Sequence, residues 1–138
     1  MKKRKKSQVS IEYLSIMGFI ALITIPLLTI YFTSVQNTND EIRSRQALQI
    51  ARKISDSAES VYFLGEPSQT TIKVYIPQNI KSAALNGREV VFSLKTKDGT
   101  SDIVQLSSVN MTGQLPATSG IHLITIKAQS NNVDVSYS

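Results

Sequence analysis

The stretch LSIMGFIALITIPLLTIYFT, Leu14 to Thr33, decides the organisation of this chain. It contains 20 consecutive residues without a charged side chain. As a helix rising about 1.5 Å per residue it would reach about 30 Å, which matches the hydrocarbon core of a bilayer. The stretch therefore predicts a membrane-spanning helix that separates a short N-terminal segment from residues 34–138.

Five consecutive basic residues, Lys2 to Lys6, precede the apolar stretch. By the positive-inside rule they place the N-terminus in the cytoplasm and the residues after about Phe32 outside the membrane. The stretch is longer than the apolar core of a secretory signal peptide, about 7–15 residues, and no small-x-small cleavage site follows it. We therefore expect the apolar segment to stay in the mature protein.

The formal net charge is +5, from 15 Lys and Arg against 10 Asp and Glu. The five basic residues of the leader account for all of it, so the chain from Gln8 onward is neutral overall. This balance argues against the basic surface that nucleic-acid-binding proteins carry, and we expect no nucleic-acid partner. There is no cysteine, so packing alone must hold a small external domain together.

An amphipathic pattern follows the apolar stretch. Apolar residues recur at alternating spacings of four and three from Ala47 to Val61, which indicates one helical face. Gly65 and Pro67 end the pattern, because Gly suits the left-handed position after a helix and Pro cannot continue one. We predict a single helix over residues 8–64, in which Pro26 removes one backbone hydrogen bond inside the membrane span.

Residues 65–138 predict a small β domain, either an antiparallel sheet or a sandwich, so that the fold class is α+β. Apolar and polar residues alternate over Thr71–Ile76, as in a half-buried strand, and Pro77 ends the strand. Turn signals at Asn86-Gly87, Asp98-Gly99 and Asn131-Asn132 predict three hairpins. Read as two-residue loops, they pair Ala83 with Val90, Leu94 with Ile103, Lys95 with Asp102, Ala128 with Val135, and Ile126 with Tyr137.

The run QVSIEYL, Gln8 to Leu14, lies between the basic leader and the apolar stretch. Together with Lys5-Lys6-Ser7 before it, this run resembles the class III signal peptide of archaeal type IV pilins and pilin-like proteins. In that family a membrane prepilin peptidase removes the basic leader on the cytoplasmic side, and the mature chain begins with Gln. The resemblance implies a cut between Ser7 and Gln8. Family members commonly carry Gly before the cut, where this chain has Ser7.

The resemblance also implies the domain organisation of the chain and its binding partners. It implies a leader at 1–7, a helix at 8–64 with an apolar span at about 14–33, and an extracellular β domain at 65–138. The precursor would lie in the cell membrane and polymerise through its helix into an extracellular fibre for surface adhesion. The implied partners are the membrane, the prepilin peptidase, identical or related pilin subunits, and a separate assembly ATPase with its membrane platform. Such a structural subunit needs no cofactor and no enzymatic activity.

Glu12 lies at the cytoplasmic edge of the apolar helix, four residues after Gln8, where type IV pilins characteristically carry a glutamate. A charged side chain costs about 2.5–3.5 kcal/mol near a bilayer centre and less near the interface, so it usually has a partner. The resemblance implies that Glu12 pairs with the new α-amino group of Gln8 on a neighbouring subunit. The alternative to this pairing is a structural role, in which the helix dipole and basic residues at headgroup level stabilise the Glu12 carboxylate.

The sequence offers no catalytic or metal-binding constellation. His122 is the only histidine, and no second His, Cys or carboxylate is spaced to bind a metal with it. There is no G-x-S-x-G elbow and no phosphate-binding glycine loop. Asn110-Met111-Thr112 is an N-glycosylation sequon, with Asn110 as the candidate acceptor. Two functions stay open: a pilin subunit, favoured because it gives Gln8 and Glu12 a role, or a surface binding module on an uncleaved membrane anchor.

Overall fold

The computed structural model describes the backbone of residues 3–138 and the side chains of residues 9–138. The chain divides after Thr38 into two compact units, here called the helical unit and, from Asn39 to Ser138, the sheet unit. The fold is α+β, as predicted. Its elements are α1 (Lys3–Leu64), β1 (Gln69–Ile76), β2 (Ile80–Thr96), β3 (Gly99–Gly113), β4 (Gly120–Ala128) and β5 (Val133–Tyr137).

The helix ends where the sequence predicts. Gly65 has a φ of 76°, and its N–H donates to the Tyr62 carbonyl at 3.0 Å. Glycine adopts this left-handed conformation without the steric cost of a Cβ, and the bond satisfies one of the last helical carbonyls. Pro26 lies inside the helix, which continues past it to Leu64. The prediction of one helix through Leu64 is confirmed, although the helix already begins at Lys3.

The five strands form one sheet in the order β1-β4-β5-β3-β2. The pairings of β1 with β4, β2 with β3, and β4 with β5 are antiparallel, but Met111–Gly113 of β3 pairs in parallel with Val133–Val135 of β5. The sheet is therefore mixed, which corrects the predicted all-antiparallel sheet and the sandwich alternative. The cause is topological, because the hairpin with β4 sets the direction of β5. The other edge of β5 then has unpaired backbone N–H and C=O groups, and the end of β3 bonds to them in parallel.

The core of the sheet unit lies between α1 and one face of the sheet. The predicted helix face is buried, and it shares one apolar cluster with inward residues of all five strands. Since the helix supplies one wall of this core, the compact unit begins at Asn39, before the predicted domain boundary at 65. The buried apolar residues of the helix are Ala47, Ile50, Ala51, Ile54, Ala58 and Val61, and Ser55 is buried among them.

Polar side chains of α1 hold β3 where its pairing with β2 is interrupted. The Glu59 carboxylate accepts hydrogen bonds from the Ser108 N–H at 2.8 Å and the Ser107 hydroxyl at 3.1 Å. The Ser55 hydroxyl donates to the Leu106 carbonyl at 3.3 Å. The hydrogen bond from the Ser108 N–H is the main cause that lowers the pKa of Glu59 below its ordinary value, and partial burial of the carboxylate opposes this shift. The charged carboxylate thus satisfies a backbone group that the sheet leaves free.

The hairpin between β2 and β3 occurs at the predicted place with a register shifted by two residues. Its loop is Lys97-Asp98, and the Lys97 N–H donates to the Asp40 carboxylate of α1 at 3.0 Å, a contact from outside the hairpin. Because side chains alternate with a period of two, a two-residue shift leaves every side chain on its predicted face. The observed pairs are Thr96–Gly99, Ser93–Asp102 and Phe92–Ile103, in place of Leu94–Ile103 and Lys95–Asp102.

The hairpin between β4 and β5 shows the same kind of shift. Its loop spans residues 129–132 instead of two residues, and the Gln129 N–H donates to the Asn132 carbonyl at 2.9 Å. The predicted faces are again correct, because the register moves by an even number of residues. The observed pairs are Ala128–Val133, Ile126–Val135 and Ile124–Tyr137, in place of Ala128–Val135 and Ile126–Tyr137.

Strand β2 turns back on itself near Gly87. The Lys95 N–H donates to the Asn79 carbonyl at 2.8 Å, whereas a straight strand between them would span about 50 Å. The inward positions change from 83 and 85 to 90, 92 and 94 across this point, and Gly87 has a φ of 64°. The predicted turn at Asn86-Gly87 agrees with this reversal, while the partnership of Ala83 with Val90 stays a prediction.

Gly113 lies where the end of β3 meets β5, and it allows a close approach. Its φ is 116°, and a Cβ added there would overlap the Val135 carbonyl oxygen. We expect Gly113→Ala to lower the free energy of unfolding of a fragment spanning residues 39–138 by more than about 4 kcal/mol. Gly120→Ala is the matched control, because Gly120 has a φ of 134° but open space around it, so positive φ alone should cost about 1–3 kcal/mol. Equal losses in urea unfolding would contradict the close approach.

Candidate assembly and membrane surface

The helical unit presents exposed apolar side chains over residues 9–35. From Val9 to Val35 every large apolar side chain is between 41% and 73% exposed. An 18-residue window there has a mean hydropathy of 2.1 with none of it buried, so the helix is long and apolar enough to cross a membrane. A helix that is apolar all round needs an apolar environment such as lipid or neighbouring helices. Residues 9–35 are called the apolar surface below.

Four hydroxyl groups on the apolar surface bond within the helix itself. The side chains of Ser15, Thr24, Thr29 and Thr33 each donate to the carbonyl four residues earlier, at 2.7–3.0 Å. Such back-bonding satisfies a hydroxyl without water. Because these hydroxyls need no outside partner, they add little to the cost of placing the helix in lipid or in a helix bundle.

Glu12 is the one charged residue of the apolar surface. Its side chain is exposed, and among the side chains of residues 9–138 none forms a salt bridge with it. The ion pairs among those side chains, Arg43 with Asp40 and Arg45 with Glu41, lie at the start of the sheet unit. Glu12 therefore presents a single negative charge on an otherwise uncharged surface.

Ser7 and Gln8 lie outside the residues whose side chains the structure describes, so the predicted processing site has no side-chain geometry here. Their backbone belongs to α1, which runs through them from Lys3. Residues four apart on a helix share a face about one turn apart. Gln8 and Glu12 thus lie on the same face of α1.

The other two singled-out residues lie in the sheet unit. Asn110 is exposed in β3, as a glycosylated asparagine must be, and the Thr112 hydroxyl accepts a hydrogen bond from Asn132 Nδ2 at 2.8 Å. His122 Nε2 lies 2.9 Å from the Thr118 carbonyl oxygen. Among the described residues no group of three His, Cys, Asp or Glu side chains could hold a metal ion. His122 therefore has a local structural partner.

Sequence reasoning missed a groove between α1 and β1. The residues that line it are Gln46, Gln49, Ile50 and Lys53 from the helix and Lys73, Val74 and Tyr75 from the strand. The signal was present in part, since Gln46, Gln49 and Lys53 follow the spacing of one helical face. What the sequence could not show is that this helical face lies beside the edge strand β1, where Lys53 Nζ donates to the Lys73 carbonyl oxygen at 3.2 Å.

Comparison of the chain with protein-family models, curated proteins and solved structures finds no significant match. The described residues define a class by themselves. It is an α+β protein with one long helix and a five-stranded mixed sheet. The first part of the helix is long and apolar enough to span a membrane, and its last part covers one face of the sheet. Anchoring in a membrane is compatible with this arrangement.

Proposed function

We propose that the chain is a structural pilin subunit. The precursor lies in the cell membrane with its N-terminus in the cytoplasm and its sheet unit outside. A prepilin peptidase cuts it before Gln8, and the mature chain polymerises through its apolar helix into an extracellular type IV pilus-like fibre. The observation that carries the proposal is the single carboxylate of Glu12 on the uncharged apolar surface, within the run QVSIEYL.

The apolar surface supports both states of such a subunit. Lipid tails and apolar helices are similar environments, so a helix of this kind can leave a bilayer and enter a bundle of like helices without losing apolar contacts. Packing and polar pairs then decide whether the bundle forms. A separate ATPase and membrane platform would supply the work of extraction.

Glu12 gives the bundle a specific polar pair. Cleavage before Gln8 creates an α-amino group that is positively charged at neutral pH. Within an apolar bundle this amine and the Glu12 carboxylate of a neighbouring subunit would neutralise each other. An uncleaved leader cannot supply the amine, so the proposal links processing to assembly. The sheet unit stays outside the helix bundle and is available for surface adhesion.

The processing step is tested by the mass of the mature protein. Membranes from the organism's own cells should yield a chain that starts at Gln8, because the basic leader precedes a peptidase motif. Ser7→Gly should be cleaved at least as completely as the wild type, since the family commonly has Gly there, whereas Ser7→Trp should retain the leader. Intact mass spectrometry separates the two forms. Recovery of wild-type protein with Met1 alone would favour the surface binding module on an uncleaved anchor.

A further inference from the structure

The outer side of β1 can accept a further strand. β1 lies at one end of the sheet order, next to β4. Leu123 of β4 exchanges backbone hydrogen bonds with Ser138, so its N–H and C=O point away from β1. Lys73 lies opposite Leu123 and therefore turns its own N–H and C=O away from β4. This side of β1 is called the free edge, and by the alternation of the strand its backbone groups belong to Gln69, Thr71, Lys73 and Tyr75.

The side chain of Lys53 occupies one acceptor of the free edge. Its Nζ donates to the Lys73 carbonyl oxygen at 3.2 Å, which agrees with the direction deduced for that group. Lysine at a sheet edge hinders strand pairing, because its charge must move before another strand can bind. Lys53 therefore competes with an incoming strand. Space for such a strand exists, since cavities of about 270 Å³ and 360 Å³ lie between α1 and β1 near Lys73 and near Gln69.

The sequence of β1 is suited to antiparallel pairing with a second copy of itself. A two-fold axis near the middle of the strand can pass through Ile72, Lys73 or Val74. An axis at Lys73 would place two lysines directly opposite each other, which is unfavourable. An axis at Val74 would bring Pro77, which has no N–H, opposite Thr71. The axis at Ile72 avoids both problems.

Pairing about Ile72 gives suitable partners on both faces of the sheet. On the face that α1 covers, Ile72 meets Ile72 of the second copy, and this side chain is half-buried against the core in one copy alone. On the opposite face Lys73 lies beside Thr71 of the second copy. The Thr71 N–H of the second copy then donates to the Lys73 carbonyl in place of Lys53. The remaining opposed pairs are Gln69 with Tyr75 and Thr70 with Val74.

We propose that the free edge of β1 is a docking site for β1 of a second copy, which adds antiparallel with Ile72 on the two-fold axis. The two sheets then form one continuous sheet. The site does not depend on the pilin function, because every residue that it uses lies in the sheet unit.

The direction of α1 determines which subunits can pair. Within the sheet unit α1 runs antiparallel to β1, since Asn39 lies near Tyr75 and Leu64 lies near Gln69. The two-fold axis therefore sets the two copies of α1 in opposite directions. Subunits of one fibre all point the same way, so the pairing joins subunits of two fibres that run in opposite directions. This last step rests on the proposed pilin function.

Disulfide trapping tests the register, because the chain has no native cysteine. Ile72→Cys should place two thiols across a pair whose Cα atoms lie about 4.5 Å apart, which a disulfide can bridge. The full chain in detergent micelles should then give a cross-linked dimer under mild oxidation. Thr70→Cys is the matched control on the same face, and its two copies should lie about 13 Å apart and stay unlinked. Equal cross-linking of the two variants would overturn the register.

Substitutions in the Ile72→Cys background test the backbone bonds. Lys73→Pro removes an N–H that faces the free edge and leaves the bonds with β4 in place, so it should abolish the cross-link. Lys73→Gln is its control and should retain the cross-link. Lys53→Met removes the competing donor and should raise the cross-linked fraction about threefold. With circular dichroism unchanged, persistent cross-linking in Lys73→Pro or a lower fraction in Lys53→Met would contradict the docking site.

Fibres from the native host separate this proposal from the pilin function. Oxidised Ile72→Cys fibres should contain cross-linked dimers where fibres lie side by side. Normal fibres without any cross-link would overturn the docking site and leave the pilin function standing. Cross-linked dimers of the purified protein, from cells that form no fibres, would support the docking site and count against the pilin function.

Discussion

Replacing Glu12 with alanine is expected to abolish surface fibres without lowering the amount of protein in the membrane. The leader, the rest of the apolar surface and the sheet unit are unchanged in this variant, so insertion and folding should continue. Each subunit that joined a bundle would bring the charged amine of Gln8 without its partner carboxylate. Breaking a buried charge pair by removing one member typically costs about 3–5 kcal/mol, and every added subunit would bear that cost.

The measurement is fibre yield by electron microscopy beside membrane abundance by immunoblot in the native host. Glu12→Gln should fail like Glu12→Ala, because it keeps the shape of the side chain and removes the charge. Glu41→Ala is the matched control on the same helix, since Glu41 lies outside the apolar surface and pairs with Arg45. It should assemble normally. Normal fibres from Glu12→Ala at normal abundance would exclude the assigned role, because a carboxylate that serves only the helix dipole contributes about 1 kcal/mol or less.

A fragment spanning residues 66–138 is expected to be unfolded, whereas a fragment spanning 39–138 should be soluble and fold cooperatively. The shorter fragment contains all five strands but loses the helix wall of the core. The inward apolar face of the sheet would then be exposed to water. A domain of this size without disulfides has a small hydrophobic core, so the loss of one side of that core should unfold it. Circular dichroism and urea unfolding of the two fragments measure the difference. A cooperative transition in the shorter fragment would contradict the structural role of α1.

Single substitutions in the longer fragment separate core packing from helix length. Ile54 is fully buried against the sheet, whereas Ile42 on the same helix is 48% exposed. Ile54→Ala should lower the free energy of unfolding by about 2–5 kcal/mol, because it leaves a cavity in the core. Ile42→Ala should cost less than about 1 kcal/mol, since surface substitutions usually change stability little. Equal losses would mean that α1 contributes through helix formation alone.

The sequence by itself determined the features that depend on neighbours along the chain. The end of α1 follows from Gly65 and Pro67, the membrane-length span from a run without charges, and the inward face of β1 from strict alternation. The helix face from Ala47 to Val61 was also predictable, because the spacing of its apolar residues matches the helical period. The motif around Gln8 and Glu12 is likewise a property of the sequence, and it carries the proposed function.

The tertiary structure decided the features that depend on residues far apart in the chain. The two hairpins shifted by two residues because loop length and an outside contact, such as Asp40 with the Lys97 N–H, set the register. The parallel pairing of β3 with β5 arises because the end of β3 reaches the free edge of β5, and no local sequence pattern predicts this contact. The groove between α1 and β1 exists only because these two elements pack side by side, which brings Lys53 Nζ within 3.2 Å of the Lys73 carbonyl oxygen, twenty residues further along the chain. Local periodicity determines which face of an element is buried, whereas the partner of that face is chosen by packing of the whole core.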